Sequence, residues 1–483
     1  MMSGCGARGG GISLDIGIGT LVVLSVSCLT SLGAFAAEWT QTVGLNTSVV
    51  YTDNTSLSEN QEDDEMSLLI SPSVSIKGDG ARVNLDLAAS LQLDSRGKGS
   101  DSTNPRLRAN ADAELVEDLF FVDLESTITQ NAIDPYSPVG SDALNDTGNV
   151  TTTYTYGLSP YLVGRFKGYA NLLARYSYDE VSYSKNNLDS SIRHDFSLRL
   201  NSGPHFGHFS WGISANHNET EYDNNNSTEF RTANIDVGYQ VNRAWKITAS
   251  VGREWNEYTS IQSETEGDRW DLGVVWTPSP RTSLDFRVGN RFFGETAALN
   301  LTHKSKRSVL TASFSQDLTD RRSLRDDDIF RSTDVFGYAI DPITGEIFPV
   351  GTLAAINDST FVNKRFDASY TLQGRRTSLT IKANHSQQTY QDSTTDSEQS
   401  SIGFSATRSL SGKLNANADL TLRTQSQNSG NDADTVSIGV GVDHKLGQNS
   451  SFGLKYGFSD RDSDQSGASY TENRITASLN AKF

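Results

Sequence analysis

The chain has 483 residues, a formal net charge of −18 and 36% hydrophobic residues. That acidic balance argues against a nucleic-acid partner, which needs a basic face. Beyond the N-terminal segment, no stretch supplies the ~20 consecutive apolar residues of a membrane helix.

Residues 1–37 read as a cleaved signal peptide, with Arg8 as a thin basic region, an apolar stretch from Ile16 to Leu32, and Ala34-Phe35-Ala36 as a small-x-small cleavage site. Ser25-Val26-Ser27-Cys28 faintly resembles a lipoprotein site, but a serine stands where an aliphatic residue is expected. Both cysteines, Cys5 and Cys28, fall in this segment. The mature chain, expected to start near Glu38-Trp39, is therefore expected to have no disulfide, zinc-thiolate site or cysteine nucleophile.

From there on the pattern has a period of two. Ala81, Val83, Leu85, Leu87, Ala89, Leu91 and Leu93 alternate with Arg82, Asn84, Asp86, Ala88, Ser90 and Gln92. An apolar face opposite a polar, charged one, in a strand of this length, is the pattern of a transmembrane β-barrel. Similar alternation marks Val43–Tyr51, Met66–Ile76, Leu107–Leu115, Phe120–Ile128, Tyr154–Leu162, Ala170–Tyr178 and Ile192–Leu200. It continues through Phe209–His217, Ala233–Val241, Trp245–Trp255, Trp270–Trp276, Leu284–Phe292, Leu299–His303, Leu310–Phe314 and Phe366–Leu372. The series ends with Leu379–His385, Ile402–Ala406, Leu414–Leu422, Val436–His444, Phe452–Phe458 and Ile475–Phe483. These segments predict an all-β fold over 38–483: an antiparallel up-and-down barrel of about 22 strands (20–22) in the outer membrane of a Gram-negative cell.

Short connections such as Lys77–Gly80, Val116–Asp118 and Arg165–Gly168 alternate with long polar ones, including 53–65, 131–151 and 317–361. That assigns the short turns to the periplasm and the long loops to the cell surface. Trp39, Tyr51, Tyr154, Tyr178, Trp245, Trp255, Trp270 and Trp276 stand near strand ends, where aromatic girdles form. The terminal Phe483, with Ile475, Ala477, Leu479 and Ala481, fits the signal read by the barrel-assembly machinery.

The opposite face is rich in charge: Arg82 and Asp86; Arg108 and Asp112; Arg193, Asp195 and Arg199; Arg269 and Asp271; Asp285 and Arg287; Arg365 and Asp367. Unpaired charge is prohibitive in a dry interior, so these residues predict a lumen wall bathed in water or paired within itself. A barrel of this strand number has a backbone diameter of roughly 40 Å. Left empty it is a leak, and the surface loop 317–361 is the sequence's candidate for an internal constriction. TonB-dependent transporters of this size carry an N-terminal plug, whereas here the first strand begins near Trp39, so no plug domain is expected. The histidines are scattered and no nucleophile stands beside a His/acid pair; His205 and His208 flank one turn without a metal-ligand set. No enzyme activity, cofactor or metal is expected, and membrane lipids are the obligatory partners.

Several turn-and-strand motifs resemble a known family. Tyr51-Thr52-Asp53-Asn54, Gly78–Leu85, Glu114–Asp123 and Lys306-Arg307-Ser308 leading into Leu310–Asp320 are similar to those of outer-membrane β-barrel proteins associated with the PEP-CTERM/exosortase exopolysaccharide system. The resemblance transfers no site residue. It implies a porin-like channel exporting exopolysaccharide or a related polar solute, with periplasmic export components as partners. The alternative is a structural or adhesive barrel that binds partners through loops 317–361 and 131–151.

Overall fold

The computed structural model describes residues 38–483 apart from 61, 99–100, 141–143, 146, 325–355 and 429. Residues 1–37, read above as a signal peptide, lie outside the described residues, and with them any question of an N-terminal plug.

A single sheet holds 22 antiparallel strands, each hydrogen-bonded to its chain neighbours. The first eleven are β1 (Glu38–Thr52), β2 (Glu65–Asp79), β3 (Val83–Arg96), β4 (Ser102–Val116), β5 (Phe120–Ala132), β6 (Val150–Phe166), β7 (Ala170–Tyr183), β8 (Ser191–Ser202), β9 (Phe209–Tyr222), β10 (Ser227–Gln240) and β11 (Trp245–Glu257). The rest are β12 (Gly267–Ser279), β13 (Thr282–Arg291), β14 (Gly294–Lys304), β15 (Ser308–Asp320), β16 (Thr360–Gln373), β17 (Thr377–Tyr390), β18 (Asp396–Ser409), β19 (Leu414–Gln427), β20 (Ala433–Lys445), β21 (Ser450–Ser463) and β22 (Tyr470–Lys482). β1 pairs with β22 from Gly44↔Lys482 to Thr52↔Arg474, and the Phe483 amide donates to the Val43 carbonyl at 2.7 Å. The sheet closes on itself, so no strand edge faces lipid along that seam.

Every predicted segment falls on a strand and most strands run further, but Ala81–Leu93, Ala233–Val241, Leu284–Phe292 and Ile475–Phe483 overrun theirs by one or two residues at a turn or the chain end. β6 begins at Val150 rather than Tyr154 because the ladder continues beyond the apolar band, where residues on both faces are polar. Short turns are tight: Lys167 (φ 45°) and Gly168 (φ 83°) both take the left-handed region, and the Tyr169 amide closes onto the Phe166 carbonyl at 2.8 Å. Two consecutive positive φ values match the twist of the flanking strands. The Gly294 hairpin is a two-residue connection (292–293) on the long-loop side.

The burial pattern is that of an ordinary domain turned inside out. Val43, Leu45, Val49 and Tyr51 of β1 are exposed, while the alternate Asn46, Ser48 and Thr52 are buried. The outward apolar residues meet acyl chains and the inward polar ones meet each other or water. All eight predicted girdle aromatics fall on the outward set. Trp39, Trp245 and Trp276 sit at the short-turn end, with Tyr51, Tyr154, Tyr178, Trp255 and Trp270 toward the loops. The Trp245 and Trp276 rings lie side by side across β11 and β12, 5.7 Å apart.

Candidate functional site: the lumen and its mouth

The cross-strand register puts the predicted wall residues on the inner face, with one exception. Arg82 lies in the turn 80–82, not in the wall, and pairs at 3.2 Å with Glu117 of the next turn. The ladder stops before it because the turn that begins at Gly80 closes onto Val83. Asp86 meets Lys77 across β2 and β3 at 3.2 Å, and Asp112 accepts from the Asn84 amide at 2.8 Å. Asp195 accepts from Asn218 at 3.3 Å. Arg287 grips Asp285 two residues away with Nε at 3.1 Å and Nη2 at 2.9 Å, and Arg365 reaches Asp367 at 2.7 Å. Asp271 sits one row from Arg287, while Arg108 and Arg199 are exposed to the lumen.

Alternate residues on one strand share a face, so a same-strand i, i+2 pair neutralises itself within the wall. Arg269 belongs to a larger group. Glu254, 1% exposed, accepts from Arg269 Nη1 at 3.0 Å, from Arg291 Nε at 2.7 Å and from Arg291 Nη2 at 2.9 Å. Arg291 then reaches Asp317 at 3.0 Å. Arg175 joins the set further round, bonded to Asp123 at 2.7 Å and lying 4.1 Å over the Tyr161 ring. Glu254 was readable in principle, since the β11 alternation turns it inward. Its importance was not, because both arginines come from other strands.

Many buried polar residues lie toward the loop ends of the strands, and two inward segments bond several of them. The first is the β5–β6 connection, 133–149, which the sequence places on the surface. Its described residues fold into the mouth and bond to strands far around the barrel. Gln425 of β19 donates to the Pro135 carbonyl at 2.9 Å, and Arg461 of β21 donates to the Tyr136 carbonyl. Asn145 donates to Glu472 of β22 at 3.1 Å and accepts from Arg474 at 2.7 Å, while Thr52 of β1 donates to the same carboxylate at 2.7 Å. Leu144 packs on Val50 and Leu69, apolar residues on an otherwise polar inner face.

The second segment follows β15. Asp320 accepts from Arg193 of β8 at 3.0 and 3.1 Å, and the Ser323 amide caps it at 2.7 Å. Arg322 donates to the Ser191 carbonyl at 2.9 Å and to the Asp179 carbonyl at 2.6 Å. Leu324 closes the contact against Phe361 and Tyr390. The Ile356 amide donates to the Ile133 carbonyl at 2.8 Å, joining the two segments. Both described ends of loop 317–361 thus turn inward beside the described residues of 133–149, while 325–355, the body of the expected constriction, lies outside the described residues.

Burial pushes the Tyr136 hydroxyl up to about 12, so the phenol stays neutral and acts as a packing group. Asp358 lies just before β16, against the β9–β10 hairpin. Burial opposes its charge, but amides donated by Asn226 and Asn224, at 2.5 and 3.0 Å, hold the carboxyl below its usual range. The His205 ring packs at a tilt against Tyr169 and His208 bonds the Gln240 carbonyl, so each braces its turn.

A closed antiparallel sheet with a lipid-facing apolar band and a polar lumen defines an outer-membrane β-barrel. Solved structures of such proteins share the fold. The chain is similar to the FrpB iron transporter from Neisseria meningitidis in its apoprotein form, at 9% identity and a TM-score of 0.51, over 95% of this chain and 83% of that one. It is also similar to the siderophore receptor PirA from Acinetobacter baumannii, at 9% identity and a TM-score of 0.50, over 92% of this chain and 80% of that one. At such identities the likeness is one of fold alone. No family model and no curated protein matches the chain.

Proposed function

We propose that the protein is a porin-like, gated conduit that passes a hydroxyl-rich, weakly charged solute, of the exopolysaccharide kind, outward across the outer membrane. The observation that carries this reading is the lumen wall, built of amides, hydroxyls and charges that neutralise one another locally, and crossed by inward segments at the loop end. Paired wall charges exert little net field on an ion, whereas Asn, Ser and Thr faces exchange hydrogen bonds with hydroxyls in both directions. The motif resemblance supports an exosortase/PEP-CTERM setting, with periplasmic export components meeting the short-turn rim. Deleting the gene should reduce surface polysaccharide and leave the polymer in the periplasm; unchanged surface polymer with none retained overturns the proposal.

A second reading, a structural barrel that presents its loops, is favoured by the buried contacts at the mouth, since Asp320 and Glu472 are held as in a permanent closure. Flux of neutral oligosaccharides from proteoliposomes separates the two. The conduit requires flux that rises when the mouth contacts are removed; the structural reading requires none in either state.

A further inference from the structure

We propose that the outer face of the seam between β14 and β15 binds the saccharide headgroup of an outer-leaflet glycolipid. The β13–β14 ladder continues to its hairpin tip at Arg291↔Gly294, and the β15–β16 ladder to Asp320↔Thr360. Between these hairpins the β14–β15 ladder covers only Leu299–Lys304 against Phe314–Val309. Above Leu299 the hairpins part, leaving Gly294–Ala298 and Ser315–Asp320 without a ladder across the gap. The β4–β5 ladder also stops early, at Leu107↔Ile128, but there the Gln130 amide bonds Asn104 over the split.

A cleft of ≈ 700 Å³ opens at the β14–β15 seam. Trp270 and Phe314 line its apolar part, and Asn290, Glu295, Gln316 and Lys364 supply its polar groups. Strand alternation turns these side chains outward: Gln316 falls between inward Ser315 and Asp317, and Lys364 between inward Asn363 and Arg365. Behind them, on the inward side, the Arg291–Asp317 ion pair at 3.0 Å bridges β13 to β15. The six named side chains thus give the cleft its membrane-side face.

Its chemistry selects the occupant. Strand edges at membrane depth need hydrogen-bonding partners that acyl chains cannot supply. Glu295 and Lys364 sum to zero, which disfavours a bare anionic headgroup, while the two amides both donate and accept, as hydroxyl recognition requires. Trp270, 47% exposed and level with the loop-side girdle, offers an indole face to the C–H side of a sugar ring. The outward apolar faces of Val288 and Phe286 continue below it, where acyl chains lie.

The test is native mass spectrometry of the full barrel in detergent, with rough lipopolysaccharide, its deacylated core oligosaccharide and phosphatidylglycerol as probes. The lipopolysaccharide should bind at least about tenfold more tightly than either other probe. Loss of two hydrogen-bonding groups in Gln316→Ala/Lys364→Ala should weaken it about tenfold. Arg231→Ala, a change on the outward face of β10, should leave binding unchanged. Equal lipopolysaccharide binding by wild type and the double variant overturns the site. Equal binding of the free oligosaccharide, or of phosphatidylglycerol, overturns the assigned ligand class. Heat-shifted gel migration checks folding. If the double variant does not fold, Glu295→Gln at the hairpin tip leaves Lys364 unopposed and should move preference toward phosphatidylglycerol, and no such shift counts against the proposal.

Discussion

Removing the carboxylate of Asp320 should free the segment that follows β15. Asp320 is wholly buried and holds Arg193, itself 5% exposed, through bonds at 3.0 and 3.1 Å. Deleting one partner of a buried pair costs about 3–5 kcal/mol, because the other charge is left uncompensated. Arg193 keeps its bond to Thr220 Oγ1 at 3.1 Å, which places Asp320→Ala at the lower end of that range. About 3 kcal/mol raises the population of an opened segment roughly a hundredfold. Residues 38–483 contain no cysteine, so Leu324→Cys provides a single thiol, buried against Phe361 and Tyr390. Its reaction with a water-soluble maleimide should be slow, and about a hundredfold faster once Asp320→Ala is added. Equal labelling rates in the two backgrounds would refute the view that this ion pair holds the segment in place.

Further outcomes follow from the same contacts. Ile235, near the middle of β10 and 54% exposed on the outer face, should cost about 2–4 kcal/mol when changed to arginine, whereas Asn234→Arg, one residue away on the inner face, should assemble normally. Equal amounts of folded barrel in the outer membrane would contradict the facing. Glu254→Ala leaves Arg269 and Arg291 without their shared carboxylate and should lower the unfolding free energy in urea by about 3 kcal/mol or more, against less than about 1 kcal/mol for the exposed Arg82→Ala. The lowered carboxyl of Asp358 stabilises its contact with the β9–β10 hairpin at every pH above the ordinary aspartate value, and that stability is lost as pH falls through the lower folded value. A spin label at Ile356→Cys should gain mobility below about pH 4, and Asp358→Asn, which still accepts from both asparagines, should remove most of that pH dependence.

The strands were legible because a membrane leaves no latitude: lipid outside and water inside force a period of two over each crossing. Val43–Tyr51 and Phe452–Phe458 show it without ambiguity. Turn and loop lengths gave the direction of each strand for the same reason. The fate of the long loops was not legible. Asn145 finds Glu472 and Arg474 more than three hundred residues away, and no local pattern encodes that meeting. A weaker clue was present, since Tyr136 and Leu144 are apolar residues in a connection that would otherwise be hydrated, and both are buried. The wall charges were found by parity, but their partners were not. Arg287 with Asp285 follows from same-strand spacing, whereas Glu254 with Arg291 depends on three strands meeting in register.

Conductance in planar bilayers tests the central claim, that a polar conduit is narrowed at its loop end by inward segments held on buried ion pairs. The intact protein should give small or rare current steps, and Asp320→Ala combined with Arg474→Ala should give larger, long-lived ones that neutral oligosaccharides reduce. A variant as silent as the wild type, or a wild type already as conductive as the variant, would contradict the account.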